Sequence, residues 1–329
     1  MLKKYKIKVF DGYCDQADTV IKDLDREISN DYVLEIAFHG EGLSLRDTDL
    51  GQKNIIEVLK EICQRKNVNE TNVKLVSGNP VEDKTVWPNI ELYYDDSHFL
   101  YGQTLKTTNT KNWNNINHFA FFVGASRWER LWISCVLYNE HKEKTLLSFH
   151  KNARLHNVDK EKMFRLCASN NLVNYFENFS KATPIVLQTR PEDHYFAHSD
   201  AYTLNEFYNR FFLEIVTESF HSGTTFCPSE KTARPISNET PFILFGPKHF
   251  LKHLNKIGFK TFSPWWNEQY DECSGYERLK EIHKVINHIS GKNIKELEKM
   301  YEEMKPVLAH NLKLYKSLKH LDMEYKLLI

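Results

Sequence analysis

Apolar and polar positions alternate along the chain in a way that divides it into short strands and amphipathic helices. Residues 5–10 read as a strand, and residues 15–28 place Ala17, Val20, Ile21, Leu24 and Ile28 at helical spacing. Residues 32–38 form a second expected strand, and residues 53–63 a helix with Ile55, Ile56, Leu59 and Ile62 inward. Strands are expected again at residues 73–76 and 90–94. Strands alternating with helices at this interval predict a mostly parallel sheet covered on both faces.

Between Tyr101 and His118 the chain turns polar, with Thr-Asn-Thr-Lys-Asn-Trp-Asn-Asn, and cannot supply a core face. This places a domain boundary there. The pattern restarts with strands at 118–123, 145–149, 211–218 and 242–245 and helices at 127–139, 160–167, 230–236 and 249–257. Residues 276–289 and 294–321 are helical and strongly charged, and no internal repeat is present. The expected organisation is an α/β domain over residues 1–112, a second over 113–290, and a helical segment over 291–329 that packs back across the domains. Its charged surface favours a polar, mobile domain interface.

Composition narrows the class. The 329 residues include 41% apolar residues, 21 Phe, 16 Tyr and 6 Trp, enough to offset chain entropy by aromatic burial. Lys plus Arg and Asp plus Glu both number 44, so the net charge gives no steering toward nucleic acid or an anionic membrane. Any phosphate site must be local. The six cysteines form no C-x2-C pair, which argues against a zinc knuckle and fits a reducing compartment. Neither an export signal nor a run of about 18 apolar residues is present, so a cytoplasmic location without a membrane span is expected.

Two stretches can carry chemistry. In the first, the expected strand ending at Val123 leads through Gly124-Ala125-Ser126 into a helix that begins with Arg127 and Arg130. Small residues permit close backbone approach, a helix start offers unpaired N–H groups, and arginine forks match phosphate oxygens. Ser126 as a simple cap beside two surface arginines is the plain alternative. In the second, a strand ends at Glu218 and a loop leads to Pro228-Ser229-Glu230-Lys231-Thr232-Ala233-Arg234-Pro235-Ile236. Ser229 can cap a helix whose first turn carries Glu230 and Lys231, at the sheet edge where α/β folds bind ligands. There a carboxylate suits ribose hydroxyls and a lysine a diphosphate.

The run from Glu218 through Ser229–Ile236, Pro241-Phe242-Ile243-Leu244-Phe245-Gly246, Leu254, Gly258-Phe259-Lys260-Thr261-Phe262 and Trp266-Asn267-Glu268-Gln269-Tyr270-Asp271 resembles a group of viral and bacterial glycosyltransferase-like proteins. Its Glu-Lys core resembles the donor-binding segment of the α1,3-fucosyltransferases, which have a GT-B fold. The resemblance covers about half the chain, Phe121 to Asp271, and does not extend into the N-terminal domain. It implies a GT-B-like architecture of two Rossmann-like domains around a central cleft, and a glycosyltransferase that moves a sugar from a UDP- or GDP-linked donor to a carbohydrate or other hydroxyl acceptor. It further implies that Arg127, with Arg130 as second choice, and Lys231 hold the diphosphate, that Glu230 holds the ribose, and that Glu218 sits near the sugar; Gly124, Ser126, Ser229, Thr232 and Arg234 complete the expected donor-binding set. Thr232 stands where the fucosyltransferases have Leu or Trp, so the identity of the sugar does not transfer.

Metal-independent transfer is expected, because arginine, lysine and a helix start can neutralise the leaving diphosphate. An acceptor base is sought in Phe38-His39-Gly40-Glu41-Gly42, as His39 or Glu41, where glycines allow close approach. Asp47-Thr48-Asp49 spells the metal-binding D-x-D of GT-A enzymes, which keeps a metal-dependent transferase as an alternative. A non-catalytic glycan- or sugar-nucleotide-binding protein and a transferase acting on hydroxymethylated DNA bases are two more. His194 and His198 have an i,i+4 ligand spacing without a further partner, Cys227 reads as a buried thiol, and Trp265-Trp266 as packing aromatics.

Overall fold

Lys3–Val9 (β1) alternates lysine with apolar residues, so one face of the strand is committed to water and the other to a core. In the structure, a computed structural model of the chain, described residues are 2–9, 17–38, 49–50, 53–77, 91–94, 99, 110–124, 127–149, 172–185, 187, 204–219 and 226–318. β1 is followed by Ala17–Glu27 (α1), Tyr32–Phe38 (β2), the short antiparallel pair Asp49–Leu50 (β3) and Lys53–Asn54 (β4), Ile55–Arg65 (α2), Val73–Ser77 (β5) and Glu91–Tyr94 (β6). The sheet order is β1-β2-β5-β6, parallel throughout.

Ile7, Leu34, Ile36, Val73 and Leu75 share one buried cluster with Leu24 and Ile28 around α1 and with Ile55, Leu59 and Ile62 of α2. The described helices therefore cover one face. On the other, Lys6 sits opposite Glu35 in the strand register and the two side chains pair at 2.7 Å, while Lys4 is exposed. On that second face Ala37 and Val76, neighbours in the strand register, are buried, as expected of a covered parallel sheet, and the lysines of β1 keep only that strand's share of it polar. α2 begins two residues later than expected because Asn54 makes a capping box: its Oδ1 accepts the Glu57 N–H at 2.9 Å and Glu57 Oε2 accepts the Asn54 N–H at 3.3 Å.

The second unit comprises Asn117–Val123 (β7), Trp128–Glu140 (α3), Thr145–Phe149 (β8), Val173–Ala182 (α4), Phe211–Thr217 (β9), Glu230–Ser237 (α5), Phe242–Phe245 (β10), Phe250–Ile257 (α6), Gly275–Ser290 (α7) and Ile294–Ser317 (α8). Its sheet, β8-β7-β9-β10, is parallel throughout. β7 alternates its faces, with Phe119, Phe121 and Val123 in the large core beside α3 and Ala120 and Phe122 in a smaller cluster with Tyr208 and Phe211. This is the buried, near-continuously apolar strand expected of a sheet covered on both sides. The helix expected at 160–167 lies outside the described residues; α4 lies beyond it, in an asparagine-rich stretch, and packs Phe179 edge-on against Phe149 at 4.9 Å.

α8 starts in a second capping box, Asn293 with Glu296. Leu297, Met300, Tyr301, Met304, Leu308 and Tyr315 recur at three- and four-residue spacing and enter the large core of the second unit. The charges that suggested a polar and mobile interface occupy only its outer face. Tyr301 meets the Trp113 ring at 5.6 Å, and the Tyr315 hydroxyl donates to the Phe99 carbonyl at 2.5 Å, so the helix touches the chain within the polar stretch and just before it. Among the described residues no helix is long and apolar enough to cross a membrane.

Candidate functional site

The order β8-β7-β9-β10 reverses direction at one point. The chain leaves β7 for β8 on one side and returns to β9 on the other, so the crevice beyond the carboxyl ends of β7 and β9 is the topological switch point, where open α/β sheets bind ligands. Gly124 follows β7, Arg127 stands just before α3, and Glu218 and Ser219 follow β9. The two stretches singled out by sequence meet at this crevice. Ala125 and Ser126 lie outside the described residues.

Glu218 ties the strand end to the next helix. Its Oε1 accepts the Ser229 backbone N–H at 3.1 Å and the Thr232 hydroxyl, and its Oε2 accepts the Ser229 hydroxyl at 2.5 Å. Its backbone N–H donates to the Phe245 carbonyl at 3.0 Å, which fixes it to β10 as well. Burial pushes its carboxyl pKa up, opposed by the Lys231 charge and by the hydrogen bonds from Ser229 and Thr232. The resemblance placed Glu218 beside the sugar. Its carboxylate is buried and accepts three hydrogen bonds from the start of α5.

With Ser229 so held, its Oγ accepts the Lys231 N–H at 3.2 Å, the cap expected from the sequence. Lys231 and Glu230 are both part-exposed at this helix start, and the Lys231 ammonium lies 2.7 Å from Glu230 Oε1 and 3.4 Å from Ser229 Oγ. Burial works against the Glu230 charge, but the Lys231 ammonium, its hydrogen bond and Arg234 bring the pKa down to about 2. An ionised acceptor, a cation and helix N–H groups thus occupy the first turn of α5.

The two arginines of α3 divide. Arg130 is buried and aims Nη2 at the Thr217 and Glu218 carbonyls, 3.4 Å from each, linking the helix to the end of β9. Arg127, at the N-cap position of α3, is part-exposed and its side chain makes no cap hydrogen bond.

Arg234 departs from the expectation. Its guanidinium turns inward to Glu214 of β9, with Nε 3.1 Å from Glu214 Oε1 and 3.0 Å from the Tyr208 hydroxyl, and Nη2 also on Oε1. Burial opposes its charge, but the Glu214 carboxylate outweighs it and holds the pKa above the ordinary arginine value. Lys111 joins this interior set from the polar stretch, donating to the Tyr208 carbonyl at 2.7 Å and the Thr240 hydroxyl at 2.8 Å. Burial lowers its pKa to about 7, with Glu214 opposing. Arg234 is therefore a tie between α5 and the sheet. A glutamate inside the apolar run Phe212-Leu213-Glu214-Ile215 was the signal that a buried cation would be needed.

Much of the remaining motif is structural. Asp271 accepts the Leu251 and Lys252 N–H groups at 3.0 and 3.2 Å, capping α6, and pairs with the buried Arg278 at 3.1 Å. Arg278 also donates to the Leu244 and Pro247 carbonyls at 3.2 and 3.0 Å, locking the end of β10. Glu268 Oε1 accepts the Phe262 N–H at 2.8 Å. Gly258 ends α6 at φ 112°, a position that calls for glycine, and at Gly246 a Cβ would approach Leu244 Cδ2 to 2.8 Å, so that side chain would have to shift. Trp266 stacks on Phe262 at 5.2 Å inside the core, and Cys227 is buried, as expected.

His39, Glu41, Asp47, His194 and His198 lie outside the described residues, and of Asp49 only the backbone, in β3, is described.

No family model matches this chain, and no curated protein matches it. Among solved structures, a trehalose-6-phosphate synthase, OtsA, aligns over 95% of this chain and 70% of its own at 11% identity with a TM-score of 0.40. A likeness that low assigns no activity, and the functional reading rests on the geometry of the crevice.

Proposed function

We propose that the chain is a glycosyltransferase of GT-B-like architecture whose sugar-nucleotide donor binds at the carboxyl ends of β7 and β9. The observation that carries this reading is the switch point itself, where β7 and β9 run side by side, Arg130 of α3 reaches the Glu218 carbonyl, and the Glu218 carboxylate holds the Ser229-Glu230-Lys231 helix start. In this reading Lys231 and Arg127 hold the diphosphate, the first-turn N–H groups of α5 add to them, and ionised Glu230 accepts the ribose hydroxyls. Ser229 and Thr232 are held by Glu218, and Arg130 fixes α3 to the end of β9, so the cations are preorganised before donor arrives.

In the transfer step the bond from the anomeric carbon to the diphosphate oxygen breaks and a bond from the acceptor hydroxyl forms. Charge builds on the leaving diphosphate, where Lys231, Arg127 and the helix start neutralise it, so transfer proceeds without a divalent ion at this site. The acceptor hydroxyl gives its proton to a base on the N-terminal side, assigned to His39 or Glu41 from the sequence. A thermal-shift screen against UDP-, GDP-, CDP- and dTDP-sugars tests the reading, because a ligand bound only by the folded protein raises its melting temperature by mass action. One nucleotide class should stabilise the protein and others should not, and transfer should persist in EDTA. Loss of transfer in EDTA with rescue by Mn2+ would favour the Asp47–Asp49 alternative.

A further inference from the structure

At the opposite end of α3 from the crevice, three ligand-type side chains converge. Glu140 is the last residue of α3, His141 its C-cap, and His283 faces them from α7. Glu140 Oε2 lies 2.8 Å from His283 Nε2 and 3.7 Å from His141 Nε2, and the three ligand atoms all fall within 4.8 Å of one another. One turn along α7, Asn287 places Oδ1 3.0 Å from His141 Nε2.

We propose that Glu140, His141 and His283 bind a divalent transition-metal ion of the Zn2+ type, which fastens the end of α3 to α7. The geometry is the main ground. A tetrahedral ion with bonds of about 2.0–2.1 Å sets its ligand atoms roughly 3.3 Å apart, and the Glu140–His283 and Glu140–His141 separations of 2.8 and 3.7 Å lie on either side of that edge, with the two histidine nitrogens within 4.8 Å of each other. An ordinary His–Glu hydrogen bond needs two of these groups; here His283 Nε2 bonds the carboxylate oxygen and His141 Nε2, bonded to Asn287, stands 3.7 Å from that same oxygen.

The donor set suits the ion class. Two imidazoles and one carboxylate are borderline ligands of the kind zinc takes, with Asn287 Oδ1 or water as the fourth. The surroundings agree. The carbonyl end of α3 favours a cation, and the Trp132 ring stands edge-on to His283 at 5.6 Å. Each ring keeps one proton on metal binding, moved from Nε2 to Nδ1. α3 is 13 residues long, about 20 Å at 1.5 Å per residue, so the ion is remote from the crevice and its role is structural.

The test is calorimetric titration of chelator-treated full-length protein with Zn2+, alongside Glu140→Gln and His283→Gln. Both side chains are part-exposed, and circular dichroism checks that each variant folds. The proposal expects one ion per chain, a higher melting temperature, and at least about a tenfold loss of affinity in each variant. Should either variant fail to fold, Co2+ bound to the parent protein decides the matter. A four-coordinate optical spectrum and quenching of tryptophan fluorescence support the site. No saturable binding, binding unchanged in both folded variants, or a purely six-coordinate Co2+ spectrum overturns it.

Discussion

Replacing Glu218 with alanine removes the acceptor for three buried groups at once: the Ser229 N–H, the Ser229 hydroxyl and the Thr232 hydroxyl. The amide is fixed in the backbone and cannot turn elsewhere, so its loss costs about 1–3 kcal/mol. The two hydroxyls can rotate to other acceptors, which limits their share, and the three losses are coupled and do not add. The expected destabilisation is about 3 kcal/mol, or roughly 6–12 °C in melting temperature at about 2–4 °C per kcal/mol for a unit of 150–250 residues. Glu218→Gln keeps one carbonyl oxygen for the Ser229 amide and should lose less than half as much. Scanning calorimetry of the parent and both variants is the assay, with nucleotide-sugar affinity measured on each below its melting temperature. An alanine variant that melts within about 2 °C of the parent would refute the latch. A glutamine variant with unchanged melting and donor affinity but no turnover would show that Glu218 acts on the substrate and does not merely position α5.

Three further outcomes follow from the same geometry. Arg234→Ala should destabilise the protein by about 3–5 kcal/mol, because it leaves the Glu214 carboxylate buried without its guanidinium and with the Tyr208 hydroxyl as a remaining donor, while a double Arg234→Met, Glu214→Leu variant should recover much of that loss in denaturant titration. Burial raises the Glu268 carboxyl to about 7, despite hydrogen bonds from Thr261 and Phe262 and with Asp271 adding to the rise. Its stabilising contribution is therefore complete below the ordinary value of 4.5 and is lost as pH climbs through about 7; Glu268→Gln should flatten the fall in stability over that window, by on the order of 3 kcal/mol in urea titrations. Glu230→Ala should weaken binding of the intact donor more than that of inorganic diphosphate, and equal losses for both ligands in competition assays would displace Glu230 from the ribose.

The strands and helices of the second unit were largely legible, because a buried parallel sheet writes itself as apolar runs such as Phe242-Ile243-Leu244-Phe245, and the strand at 145–149 is observed as expected. The cap at Ser229 and the meeting of the two stretches were legible for a related reason: in an α/β fold the carboxyl ends of adjacent strands share an edge. What the pattern could not reveal were partners distant in sequence. Nothing local in Glu218 indicates that Ser229 and Thr232 occupy its oxygens, and Arg234, one turn beyond Glu230, was grouped with the ligand-facing residues although Glu214 draws it inward. Glu140 and His141 were hidden because their partner His283 lies more than a hundred residues away on α7. The charged helix α8 misled in another way: charge density marks an exposed face and says nothing of the apolar stripe behind it, which Met300, Met304 and Leu308 supply.

The central claim, that the first turn of α5 holds a nucleotide diphosphate, is tested most directly by isothermal calorimetry of the parent and Lys231→Ala with the stabilising nucleotide sugar. Lys231 is part-exposed, so its removal should leave folding intact. Loss of a charge-assisted hydrogen bond worth about 1.5–3 kcal/mol predicts donor affinity lower by roughly 10- to 150-fold, with an unchanged melting temperature in the absence of ligand. A folded Lys231→Ala protein that binds the donor with the parent's affinity would contradict the account and move the donor away from this crevice.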